Sequence, residues 1–230
     1  VDSRARIVHV EPAINVLANP RRENGARAAA DHHESQFEAW DILGGNKWPG
    51  IGGDPKYLDV LGVNYYYNNQ WVQGGMPVTN RSDPRYRPLR EILAEIHARF
   101  GRPLFIGETG IEGNAHISGK PRYRMPVPRT EDARPEWLRY VCGEVAAAMD
   151  AGIPMKGICL YPVANHPGWN DDRHCQNGLL EYPPHADGHR DVIEPLAREL
   201  AMQIAIFEAR RPGVVSGNHV LSTQGVPLRL

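Results

Sequence analysis

Pro103-Leu104-Phe105-Ile106-Gly107-Glu108-Thr109-Gly110 runs four largely apolar residues straight into a carboxylate, and a glycine follows two positions later. A short apolar run bounded by turn residues reads as a buried parallel strand. A glutamate at its C-terminal tip is costly to bury unpaired. It therefore points into a site at the strand ends, where α/β barrels gather their functional residues. On this segment alone, a surface glutamate in a strand-to-loop turn accounts for the residue equally well.

Outward from this segment the chain alternates strand and helix. Arg6 to Ala13, Leu58 to Tyr67, Leu104 to Gly107 and Met155 to Tyr161 read as strands. Gly25 to Leu43, Pro88 to Phe100, Pro135 to Ala151 and Asp191 to Arg211 read as helices, and Gly101 and Gly152 directly follow two of them as helix stops. Alternation of this kind implies parallel βαβ units. Four units make either a small open sheet or half of an eight-stranded barrel. The long connections are Asn68 to Tyr86, Thr109 to Arg134 and Pro162 to Arg190. All follow strand C-termini and are rich in aromatic, His, Asn and Asp residues. Loops this long are uncommon unless functional, and function crowded on the βα side is the barrel pattern. No Gly-rich phosphate fingerprint follows any strand, which argues against a nucleotide-binding sheet. The expected division is a half-barrel over residues 1–211 and a C-terminal tail over 212–230.

The chain has 230 residues, 41% of them hydrophobic and 23% charged, and a formal net charge of −1. That balance provides no basic footprint for nucleic acid and no polybasic membrane patch. No apolar run approaches the ~18 residues of a membrane span. Cys142, Cys159 and Cys175 are too few and too scattered for a disulfide framework or a zinc motif. His32, His33 and Glu34 are adjacent on a helix, and neighbouring helical residues diverge too widely to share an ion, so no metal is expected. The first residue is Val1 rather than Met, and the chain is expected to be a fragment. No signal peptide is visible; a cytoplasmic location is the working expectation, with export left open.

Two further segments hold candidate chemistry. In Gly62-Val63-Asn64-Tyr65-Tyr66 alternation places Asn64 and Tyr66 on one face, suited to hydrogen-bonding a carboxylate or a sugar hydroxyl, and Tyr65 on the other, against the helices. The fourth strand runs into Tyr161-Pro162-Val163-Ala164-Asn165-His166-Pro167-Gly168-Trp169-Asn170-Asp171-Asp172. Aromatic rings beside amides and carboxylates suit carbohydrate, since the ring covers a sugar's C–H face and the polar groups take its hydroxyls. Trp169 serves equally well as a loop anchor packed on the body.

Taken together, these segments resemble the C-terminal half of the family 1 glycoside hydrolases, the β-glucosidase-type (β/α)8 TIM barrels. Asp59-Val60-Leu61-Gly62-Val63-Asn64-Tyr65-Tyr66 is similar to the family's sixth strand. Leu104 to Gly110 is similar to its seventh, with Thr109 in place of an asparagine. Arg6 to Ala13 resembles the fifth strand, Asp31 to Gly45 the helical segment after it, and Gly157 to Tyr182 the eighth strand and its loop. The resemblance spans Arg6 to Arg211 and implies strands 5–8 of the barrel. It implies Glu108 as nucleophile of a retaining mechanism with a covalent glycosyl-enzyme, and Tyr66 as the donor that holds it. It also implies Asn64 lining the pocket, Trp169 and Tyr161 walling the sugar subsite, a carbohydrate partner and no cofactor.

Two departures accompany it. The family's hydroxyl-gripping glutamate in the eighth-strand loop is Gly168, and its tryptophan at the strand end is Tyr161. Asn165, His166 and Asp171 are the candidates to replace the lost contact. The acid/base glutamate of the family's fourth strand has no counterpart. Val10-Glu11-Pro12 echoes its motif, but Glu11 lies too few strands before Glu108 and reads as a rim residue, with the role of acid as its alternative. The expected protein is half of a retaining β-glycosidase, inactive without the upstream half. Its rivals are a complete clan relative using Glu11 and a non-catalytic carbohydrate binder.

Overall fold

The computed structural model describes residues 4–113, 132–169, 173–182 and 188–210. The proposed tail over 212–230, Asp171 and parts of two of the long loops lie outside them. Strands β1 (Val8–Pro12), β3 (Val60–Asn64), β5 (Leu104–Thr109) and β6 (Met155–Leu160) form one sheet in the order β1-β3-β5-β6, every pair parallel. Short strands β2 (Asn15–Leu17) and β4 (Gln70–Val72) pair beyond the C-terminal ends of β1 and β3, and β7 (His166–Pro167) and β8 (His174–Cys175) form a small hairpin after β6.

Helices α1 (Gly25–Ser35), α2 (Glu38–Leu43), α3 (Leu89–Phe100), α4 (Ala133–Asp150) and α5 (Glu194–Ala209) provide the second layer. The single helix expected over Gly25 to Leu43 is broken at Gln36–Phe37. There Ser35 Oγ donates to the His32 carbonyl and Gln36 Nε2 to the His33 carbonyl, while Gln36 Oε1 accepts the Ile14 N–H. Side chains thus take the carbonyls that would continue the helix, and Phe37 drops into the core, 2% exposed.

One face of the sheet packs on the helices. Leu61, Val63, Tyr65, Leu104 and Ile106 are fully buried against Trp40, Leu89, Ile92, Leu93, Ile96 and Val141. Each such side chain is worth roughly 1.5–3 kcal/mol. The other, inner face is lined differently. Val8 and Val10 are each 41% exposed there, lying across Gly62, where an added Cβ would meet their methyls at 2.9 and 2.6 Å. Four parallel strands with helices on one side and, among the described residues, no covering layer on the inner face form a partial barrel.

Candidate active site

Strict alternation along β5 would send Leu104, Ile106 and Glu108 to the helix side. The strand does otherwise. Leu104, Ile106 and Thr109 are the residues at 0% exposure, a spacing of two and then three. Val63 pairs with Ile106 but Asn64 with Glu108, and on the other side Ile106 pairs with Ile158 but Thr109 with Leu160. One extra residue is therefore inserted at Gly107–Glu108 relative to both neighbours. This is a β-bulge, which re-aims side chains beside functional sites. It turns Glu108 from the helix side towards the inner face and sends Thr109 into the core in its place. Gly107 makes this possible: a Cβ there would lie 2.8 Å from Val10 Cγ1 and 2.9 Å from Asn64 Oδ1.

On the inner face Tyr66 Oη donates to Glu108 Oε2 at 2.7 Å. Burial, and then the hydrogen bond to the carboxylate, hold the Tyr66 hydroxyl well above its ordinary range, so it remains a donor. Asn64 lies beside Glu108 in register, and its Oδ1 is buried with no hydrogen-bond partner among the described residues. Asn69, which no motif in the sequence singled out, clamps this corner. Its amide nitrogen donates to the carbonyls of Ala13 (2.8 Å) and Asn64 (3.1 Å), and its oxygen accepts the Tyr66 N–H (3.3 Å). Tyr65 packs away from the site, fully buried.

Tyr161 joins the group through its N–H to the Thr109 carbonyl (2.9 Å) and lies close enough to Tyr66 to disfavour its ionisation. From Tyr161 a chain of rings leads outward, with the His166 ring 6.5 Å away and Trp169 6.1 Å beyond that. His166 Nδ1 is 2.6 Å from the Pro167 carbonyl, so it carries the proton and Nε2 is the acceptor, 3.4 Å from Asn177 Nδ2. Trp169 is 83% exposed. A packed loop anchor would be covered, so that expectation is not met.

Two candidates are placed differently from their expected roles. Asn165 is 1% exposed. Its amide donates to Glu181 Oε2 (2.8 Å) and accepts the Gly178 N–H (2.7 Å), so it holds the loop together and has no amide atom to offer a sugar. Glu11 pairs in register with Val63, on the helix side of the sheet, while Val10 takes the inner face. With no bulge in β1 to re-aim it, Glu11 does not share a face with Glu108. Arg173 and Glu112, bonded at 2.6 Å, tie the loop after β5 to the hairpin. The remaining pair of interest, His32 and His33, bonds to Gln73 and Glu95 on the outer surface.

No protein-family model and no curated protein matches the sequence. Solved structures do match its fold. A family 1 β-glucosidase from Thermotoga maritima superposes with a TM-score of 0.62 at 14% identity, over 88% of this chain and 52% of that one. The virulence factor SghA, solved with the substrate analogue salicin, gives 0.60 at 18% identity over 87% and 50%. The β-glycosidase of Thermosphaera aggregans gives 0.56 at 18% identity over 86% and 43%. The chain thus spans about half the length of the structures it matches. The shared feature is the fold, a glycosidase-like α/β unit amounting to part of a barrel. The Thermotoga enzyme has also been solved with glucoimidazole and with deoxynojirimycin.

Proposed function

We propose that this chain carries the nucleophile half of a retaining β-glycosidase. The observation that supports the reading most directly is the 2.7 Å hydrogen bond from Tyr66 to Glu108 on the inner face of the sheet, at the C-terminal end of a bulged parallel strand. A binding surface has no need of a carboxylate re-aimed by a bulge and held in place by a tyrosine. In the proposed reaction an oxygen of Glu108 attacks the anomeric carbon and forms a glycosyl ester. The bond from that carbon to the aglycone oxygen breaks, and its electron pair leaves with the aglycone. Tyr66 holds the attacking carboxylate in one rotamer, and Asn64 lines the same pocket beside it. Tyr161, His166 and Trp169 form an aromatic wall for the ring. The partner is a β-linked sugar, by analogy with the Thermotoga β-glucosidase that the chain superposes on, solved in complex with glucoimidazole and with deoxynojirimycin.

The proton for the leaving group has to come from a second carboxyl group about 5–5.5 Å from Glu108. Glu11 is on the wrong face for that role. The reading therefore assigns the acid to a complementary barrel half whose strands extend the open edges at β1 and β6, and the chain alone is inactive on unactivated glycosides.

The test is covalent labelling with a 2,4-dinitrophenyl 2-deoxy-2-fluoro-β-glycoside, whose leaving group needs no acid, read by intact mass and peptide mapping. It is applied to this chain and to the chain extended by the coding sequence upstream of Val1. A single glycosyl adduct on Glu108, absent in Glu108→Gln, is expected. Reversible sugar binding with no adduct in either form would favour a non-catalytic carbohydrate binder, the alternative to which Gly168, lacking any carboxylate, lends support.

A further inference from the structure

The bulge that presents Glu108 has a reverse side. Thr109, pushed into the core, is 0% exposed, and a hydroxyl buried there needs a partner. Trp137 supplies it, donating from Nε1 to Thr109 Oγ1 at 2.9 Å. Trp137 belongs to the first turns of α4 and stacks on Tyr65, with rings 5.9 Å apart and 13° from parallel. Tyr65 in turn gives its backbone N–H to the Glu108 carbonyl at 2.9 Å, and the Thr109 carbonyl accepts the Tyr161 N–H at the same distance. Glu108 is therefore flanked by two fixed points. Its own carbonyl is held by the residue that follows β3, and the next residue is held by a side-chain bond from the helix layer. An extra residue in a strand can be absorbed in two ways. It can leave Glu108 inward and Thr109 outward, as here, or it can slip so that the alternation resumes and the two exchange faces.

The geometry points to Thr109 and Trp137 as positioning residues: their buried hydrogen bond locks the bulge in the arrangement that aims Glu108 at the inner face. This rests on the reading of Glu108 as a nucleophile for its catalytic consequence, though not for its structural one. Neither residue touches the carboxylate, so their effect on Glu108 is transmitted through the backbone. A misaimed attacking atom is expensive, since displacements near 1 Å cost reaction rate up to about a hundredfold. A Cβ-branched residue without a hydroxyl fills the same space but leaves Trp137 Nε1–H unpaired in the core, and the slipped arrangement then competes.

The experiment uses Thr109→Val, its conservative control Thr109→Ser and the second route Trp137→Phe, each in the full chain. Labelling by the 2-deoxy-2-fluoro glycoside is followed over a range of glycoside concentrations, and the Tyr66 Oη–Glu108 Oε2 separation is read in crystal structures. The expected result is at least a tenfold fall in the maximal labelling rate for Thr109→Val and Trp137→Phe. The half-saturating glycoside concentration should stay within about twofold, Thr109→Ser should keep the parent rate, and the 2.7 Å bond should be lost in the slow variants. A merely structural role would lower stability and leave the rate of the folded protein alone, and that outcome overturns the proposal. If the parent itself takes no label, the glycosidase reading fails and the crystallographic arm decides alone. A Tyr66–Glu108 bond kept intact in Thr109→Val and Trp137→Phe overturns the positioning claim, and its loss upholds it.

Discussion

Two glycine-to-alanine substitutions should move stability in opposite directions, and the contrast tests the packing around the site. Gly110 directly follows β5. An ideal Cβ there would fall 2.1 Å from the Tyr161 carbonyl oxygen, which belongs to backbone and cannot rotate away. Optimal non-bonded separations are roughly 3.5 Å, so the strand ends would have to part by more than about 1 Å. The neighbouring bond from Tyr161 N–H to the Thr109 carbonyl, 2.9 Å long, would not survive that movement. Overpacking and one lost hydrogen bond together cost about 2–4 kcal/mol. At a denaturant dependence near 2 kcal/mol/M, Gly110→Ala should lower the urea midpoint by ~1–2 M. Gly143, exposed in the middle of α4, meets nothing within 4 Å of its Cβ. Gly143→Ala should gain about 0.5–1 kcal/mol from helix propensity, a rise of ~0.3–0.5 M. Tryptophan fluorescence and far-ultraviolet circular dichroism in the same urea series supply the midpoints. Equal shifts of one sign in both variants would refute the close approach of Gly110 to β6.

Three further outcomes are expected. The Glu199 side chain is 3% exposed and is held by Arg139 and by Gln203 Nε2 at 2.7 Å; Arg139→Leu should cost about 2–4 kcal/mol by stranding the carboxylate, and Glu199→Gln in the same background should recover most of the loss of urea midpoint. Glu95 accepts from His33 Nε2 at 3.0 Å and from Arg87, and these bonds, outweighing desolvation, lower its carboxyl from 4.5 to about 2. A depressed carboxyl contributes stability that is fully present above pH 4.5 and is lost as pH falls towards 2, so Glu95→Gln should flatten the acid limb of urea midpoint against pH in that window, and superimposable limbs would deny the linkage. Finally, the uncovered inner face at Val8 and Val10 should make the isolated chain self-associate; Val10→Lys should weaken association at least tenfold in sedimentation velocity, a change of about 1.4 kcal/mol, and a parent that sediments as a monomer would show that the face needs no cover.

The order of elements was legible because each depends on local chemistry. Four β-branched or aliphatic runs alternate with helical periods, and glycine marks the ends at Gly101 and Gly152. Asn64 and Tyr66 on one face and Tyr65 on the other followed from period two alone, and the structure keeps that division because β3 is regular up to Asn64. The helix break at Gln36–Phe37 was not legible. It depends on Gln36 reaching Ile14, twenty-two positions away, and helical periodicity carries no trace of such a bond. Asn165 misled for a related reason. An amide in a loop after a strand looks the same whether it faces ligand or turns inward, and only its two partners, Glu181 and Gly178, distinguish the cases.

Glu108 and Glu11 show the limit most clearly. Both are glutamates near the C-terminal ends of parallel strands in the same sheet, and both lie opposite or beside β3. Applied evenly, the alternation rule puts each of them on the helix side, next to Val63 in the one case and in line with Ile106 in the other. One inserted residue exempts Glu108. The sequence carried two hints of it, a glycine immediately before the carboxylate and a threonine immediately after, where a core-facing residue of this strand would otherwise be aliphatic. Neither hint has force until Trp137, from a helix beyond the long loop, is seen to donate to that threonine. What places the carboxylate in the candidate site is therefore not its own motif. It is a hydrogen bond on the opposite side of the sheet, closed by a residue twenty-eight positions away from Thr109, and that is why strand pattern alone left a surface glutamate and a site glutamate on equal terms.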